Sequence, residues 1–157
     1  MYCIGPIASG FSRPLTMRLP LKTEYACQVL AQLALTYSKD HVRQVEDLAL
    51  AEGLSPNYSV QILTTLRQAG LVISRRGKNG GYLLARHPDE ITLADIAAAM
   101  EGEQLIESSP GNDGMSAATV HSAWLQVNQA MLEACRKITL SELVAKPEDV
   151  GGADWVI

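Results

Sequence analysis

From Thr23 onward apolar side chains recur at Ala26, Val29, Leu30, Leu33, Ala34 and Tyr37. This i, i+3, i+4, i+7 spacing predicts a helix of about four turns with one buried stripe. Ser38 to Val42 turns the chain, and Val45, Leu48 and Ala49 predict a second, short helix. That helix stops at Gly53, where the lack of a β-carbon permits a left-handed cap. Ser55-Pro56 opens a third helix, because the serine oxygen can cap orphan amides and the missing proline N–H costs nothing at the first helical position. Its inward stripe is read as Ile62, Leu63, Leu66 and Ala69, with Gly70 as the stop. Asn57, Ser59, Val60, Gln61, Thr64 and Thr65 are left for other faces, which are polar and uncharged.

The period then changes. Leu71-Val-Ile-Ser74 and Tyr82-Leu-Leu-Ala85 predict two short strands joined through Arg75-Arg-Gly-Lys-Asn-Gly-Gly81, in which Asn79-Gly80 is a strong hairpin signal. Thr92-Leu-Ala-Asp95 has the form of a capping box, followed by Ile96, Ala97 and Met100 on one side of a helix ending near Gly102, where the core domain closes. Glu103 to Ser116 is rich in Ser, Pro, Gly, Asn and Asp and predicts a loop. After it Val120, Trp124, Val127, Met131, Ala134 and Ile138 alternate four and three residues apart, a heptad seam that asks for a partner helix. Thr139-Leu-Ser-Glu142 opens one more short helix. The domain boundaries that follow are an N-terminal arm over 1–16, a folded unit over 17–102, a loop over 103–116, a long and a short helix over 117–146, and a tail over 147–157. Met17 is a candidate start.

Composition narrows the class. A chain of 157 residues with 47% hydrophobic and 19% charged residues fits one soluble domain with a modest appendage. No apolar run approaches the roughly 18 residues of a membrane span, and no basic residue precedes the apolar opening Met1 to Phe11, so a cytoplasmic location without membrane contact is expected. Cys3, Cys27 and Cys135 are odd in number and scattered, which writes neither a disulfide framework nor a CxxC-type metal site. Helical cysteines of this kind are most often small buried hydrophobes, although Cys135 beside the seam, or Cys27, could sense redox state across a dimer.

Net charge is -4, but its distribution matters more. Arg67, Arg75, Arg76, Lys78 and Arg86 lie in the acid-free stretch Arg67 to Pro88, whereas Asp89 to Cys135 carries eight acids and no Lys or Arg. Screening confines each field to about 10 Å at ordinary salt, so a basic patch can meet phosphate on an acidic molecule.

Helix, helix, glycine corner, helix and basic hairpin is the order of a winged helix-turn-helix, whose third helix enters the major groove. The fold class is therefore mainly α, with a two-stranded β wing and a long C-terminal dimerisation helix. The residues expected at DNA are Ser55, Asn57, Tyr58, Gln61, Arg75, Arg76, Lys78 and Tyr82. Asn57 and Gln61 lie four apart on one face, and amides can read adenine edges. Arg76 and Lys78 can lie along phosphates or enter a narrow minor groove. Tyr58 has a second reading, simple packing against the wing. No catalytic constellation, phosphate-cradling motif or cofactor site is legible, so no enzyme and no cofactor are expected.

Leu54-Ser-Pro-Asn-Tyr58, Leu66-Arg-Gln-Ala-Gly-Leu-Val72, Arg76-Gly-Lys-Asn-Gly-Gly-Tyr-Leu-Leu-Ala85 and Ile91-Thr-Leu-Ala-Asp-Ile96 resemble the Rrf-two family of bacterial winged-helix regulators, the IscR, NsrR and CymR kind. The resemblance runs from Met17 to Val144. It implies a homodimer, a pseudo-palindromic DNA operator, a repressor's role, and sensing through a regulatory protein or small effector in some members. Many members hold an iron-sulfur cluster on three cysteines before the dimer helix, and Glu103 to Ala118 has none here. His121 and Glu24 fall where some relatives place ligands. Without thiolates a metal site is not expected. Val60 replaces a glutamate that some relatives use to discriminate operators. The alternatives are a metal or redox sensor of the same fold using Glu24, His121 or Cys135, and a protein-interaction module that has lost DNA binding.

Overall fold

The computed structural model describes residues 19–37, 41–102 and 105–144, so the arm over 1–16, part of the turn after Tyr37, and the tail over 147–157 lie outside the described residues. The elements are α1 (Leu21–Ala34), α2 (Val45–Glu52), α3 (Pro56–Gln68), β1 (Val72–Arg75), β2 (Gly81–Leu84), α4 (Leu93–Glu101), α5 (Ala117–Arg136) and α6 (Leu140–Val144), and a 3-10 turn at Pro88–Glu90 leads into α4. This is a mainly helical winged helix-turn-helix with an antiparallel two-stranded wing and a long helix after it.

The helix boundaries follow the expected chemistry. Gly53 caps α2 at φ 65. Ser55 Oγ accepts from the Tyr58 amide at 3.2 Å, with Pro56 in the first turn of α3. The capping box of α4 is complete: the Thr92 amide donates to Asp95 Oδ2 at 2.9 Å and the Asp95 amide to Thr92 Oγ1 at 3.2 Å.

Several expectations need correction. Helix α1 ends at Ala34, so Tyr37 lies beyond it and meets His87 edge-on, ring centroids 5.2 Å apart. Ser59 belongs to the buried side of α3 with Ile62, Leu63 and Leu66; its hydroxyl donates to the Ser55 carbonyl at 3.1 Å, which satisfies it without water. Ala69, assigned inward, is the exposed C-cap. The expected hairpin forms, but Asn79-Gly80 is not its centre: Arg75 pairs with Gly81, and the amide of Gly80 donates to the carbonyl of Gly77, putting Lys78 and Asn79 at the centre of the turn. Ile138 is off the seam, because α5 stops at Arg136; the Ile138 carbonyl instead accepts from the Leu93 amide at 3.0 Å.

The core joins α1, α2, α3, both strands, α4 and α6 through Leu30, Leu48, Leu63, Leu66, Val72, Leu84, Ile96 and Leu140. It therefore does not close at Gly102. Thr139 bridges Thr92, and the Leu140 amide donates to the Ile91 carbonyl at 2.7 Å, bringing the chain back from α5 to seat Leu140 with no exposed surface. Burying a leucine of this kind contributes about 1.5–3 kcal/mol.

Candidate nucleic-acid interface

With Ser59, Ile62, Leu63 and Leu66 turned inward, Asn57, Val60 and Gln61 stand exposed on α3. Thr64 and Thr65 return their hydroxyls to the carbonyls of Val60 and Gln61 at 2.7 and 3.2 Å, so the first two turns of α3 offer the Asn57 and Gln61 amides as their longest polar groups. Ser55, at the cap, is also exposed. Tyr58 is half-buried: its ring meets Tyr25 of α1 edge-on, centroids 5.9 Å apart, and packs on the core.

Arg75, Arg76 and Lys78 are exposed on the wing. At its base Val72 and Leu84 are buried opposite each other, while the Tyr82 ring packs on the core. Arg67 Nη1 donates to Ser74 Oγ at 3.3 Å and ties the end of α3 to β1. Arg86 is turned away from this use, donating to the Glu90 carbonyl at 3.3 Å and lying 3.8 Å from Asp95.

A contribution from Arg43 was not legible in the sequence. Its backbone exchanges two hydrogen bonds with Tyr82, at 2.9 and 2.8 Å, adding a single bridge outside β2. A β-carbon on Gly81 would lie 2.5 Å from the Arg43 carbonyl oxygen, so the bridge requires a glycine there. The signal available was the second glycine of Gly80-Gly81, which a plain hairpin turn does not need.

On α5, Val120, Trp124 and Val127 are 53%, 41% and 42% exposed, and Met131 and Ala134 are also exposed. Asn128 is the buried residue of this helix; its Oδ1 accepts from the amides of Leu105 and Ile106 at 2.9 and 3.1 Å. Asn128 thus holds α5 to its own chain, while Val120, Trp124 and Val127 face outward.

The other candidate ligands do not converge. His121 Nδ1 shares a hydrogen bond with Ser108 Oγ at 3.2 Å, beside a cavity lined by neither cysteine. Glu24 is exposed in the first turn of α1, whereas Cys27 and Cys135 line a different cavity. Among the described residues no three His, Cys, Asp or Glu side chains group to hold a metal ion. No helix among them is long and apolar enough to cross a membrane.

Residues 19–146 match the family model described as Rrf2, iron-dependent transcriptional regulator. A helix-turn-helix-type transcriptional regulator of Mycobacterium tuberculosis is 36% identical over 140 residues, covering 85% of this chain and 86% of that one. The regulator IscR of Pectobacterium atrosepticum is 32% identical over 144 residues, covering 88% and 85%. Among solved structures, CymR, the global cysteine regulator of B. subtilis, superposes with a TM-score of 0.69 at 29% identity, covering 82% of this chain and 97% of that one. IscR of T. potens superposes with a TM-score of 0.68 at 30% identity, covering 87% and 94%.

Proposed function

The chain belongs to the Rrf2 family of DNA-binding transcriptional regulators, which are not enzymes, and from that premise we propose that it is a homodimeric cytoplasmic repressor of a pseudo-palindromic operator, working without an iron-sulfur cluster. The observation that carries the reading is the pairing of an uncharged polar face on α3, Asn57 and Gln61, with an acid-free basic wing bearing Arg75, Arg76 and Lys78. The amides suit base edges and the wing suits phosphates. The capped N-terminus of α3 at Ser55 suits a backbone phosphate. Tyr58 and Tyr82, half-buried, brace helix and wing on the core and leave their hydroxyls as secondary contacts. Two copies joined along Val120, Trp124, Val127, Met131 and Ala134 would place two recognition helices about one helical turn of DNA apart.

Selection from randomised duplexes with the purified protein tests this. A two-fold symmetric consensus, with affinity falling steeply as salt rises, is expected. Recovery of no consensus would overturn the reading and favour an interaction module.

The iron dependence in the family's description favours a second reading, a metal sensor using His121 and Glu24. The donors present do not fit a cluster, which rests mainly on thiolates. Residues 103 to 118 contain no cysteine, and His121 is engaged by Ser108. Anaerobically prepared protein is expected to be colourless and to lack stoichiometric iron and sulfide. A brown preparation with matched iron and sulfide would establish the second reading instead.

A further inference from the structure

Where α1, α4 and α5 meet lies a partly open cavity of about 260 Å³. Its apolar walls include Leu93 and Ala97 of α4, Ile106 of the segment before α5, and Met131 of α5; the thiols of Cys27 and Cys135 face it from α1 and α5. A cavity of about 150 Å³ with such walls takes benzene, and small-molecule pockets begin near ~300 Å³, so this one admits a single ring with a substituent.

Charge defines the occupant further. The polar groups of the lining are paired: Thr23 donates to Glu101 Oε1 at 2.5 Å, and Glu101 Oε2 lies 3.1 Å from Nζ of the exposed Lys22, outside the lining. No carboxylate or cation is left to be neutralised there, and among the described residues no buried side-chain polar atom lacks a partner. An ionic guest would surrender its hydration without compensation. Burial, then the neighbouring Cys135 and Glu24, push the Cys27 thiol up to about 11, in keeping with a wall poor in water.

We propose that this cavity is an effector site for a small uncharged molecule, apolar over most of its surface and no larger than a substituted single ring. Such an occupant touches α1 and α4 of the winged-helix unit and α5 of the outward seam at once, so its binding would favour one placement of the long helix over others. A ligand shifts that equilibrium only by its differential affinity. The consequence for DNA rests on the regulator proposed above; the binding does not.

The two thiols report occupancy directly. In Cys3→Ser protein, methyl methanethiosulfonate is expected to modify Cys27 and Cys135 about tenfold or more faster than its sulfonate-bearing analogue, because the sulfonate must shed water to enter. Toluene at about ten times its dissociation constant should slow that modification about tenfold, the mass-action factor. Ala97→Phe, which fills the space, should slow modification by itself and abolish the toluene effect; Met131→Trp approaches from the opposite wall should Ala97→Phe fail to fold. Equal rates for the two reagents, or no protection by toluene in a protein that reacts, would overturn the site. Protection that toluene does not change but dilution to monomer removes would overturn it in favour of coverage by a second copy. If toluene binds while DNA affinity stays fixed at every concentration, the cavity is a ligand site without an effector's role, and that part of the proposal falls. Absence of any DNA binding, with toluene protection intact, would count against the regulator alone.

Discussion

Gln61 and Asn57 are exposed because Ser59, Ile62, Leu63 and Leu66 claim the opposite side of α3. Gln61→Ala is therefore expected to relax preference at particular base pairs by about 1–3 kcal/mol, read by competition between operator variants. Arg76→Ala, on the wing tip, should weaken all duplexes alike and reduce the salt slope by about one, read by titration across salt. Identical effects of the two would mean that α3 does not read bases. Cys27 carries the residue-scale pH dependence. Its thiol rises from 9.0 to about 11 in the folded chain, chiefly through burial, so the folded state holds its proton more tightly than the unfolded state. Stability from this source is complete below pH 9 and drains between pH 9 and 11, by on the order of 2 kcal/mol. Cys27→Ala should flatten that part of a denaturant-midpoint profile; an unchanged slope would assign the loss to other groups.

At the scale of elements, the wing depends on a contact that its hairpin does not contain. Arg43 reaches Tyr82 across a position where the Gly81 backbone leaves no room for a β-carbon. Gly81→Ala should cost on the order of 2 kcal/mol, lowering the thermal midpoint by roughly 4–8 °C and weakening DNA binding with it. Gly111→Ala, whose added carbon meets nothing within 4 Å, should leave the midpoint unchanged and serves as the reference. A Gly81→Ala protein as stable as that reference would show that the Arg43 bridge adjusts freely.

At the scale of the molecule, α5 turns Asn128 inward and leaves Val120, Trp124 and Val127 to solvent. If the seam joins two copies, Val127→Glu buries a charge at a cost of several kcal/mol and should give a folded monomer by sedimentation and circular dichroism. Folding should survive, because Val127 lies outside the chain's own core. An unchanged dimer would move the interface elsewhere on the surface.

The sequence by itself determined the order of elements and most of their ends. Those are local matters: Ser55-Pro56, Gly53 and the Thr92–Asp95 box act within a turn of where they stand, and the 3.6-residue period names the buried stripe. It also carried the family likeness, since the wing motif is contiguous. Where the chain met itself at long range, tertiary structure decided. Ser59 could go inward only because Ser55 offers its carbonyl. Ile138 left the heptad because its carbonyl is needed by Leu93. Leu140 joined the core of a unit that its position in the chain places well beyond. Arg43 became part of the wing through pairing with a residue 39 positions on. Cys27 and Cys135, more than a hundred residues apart, came to share one cavity. Periodicity records which side of an element avoids water, but not which distant element covers it, because the partners' identity is fixed by backbone pairing and packing between segments that share no local pattern.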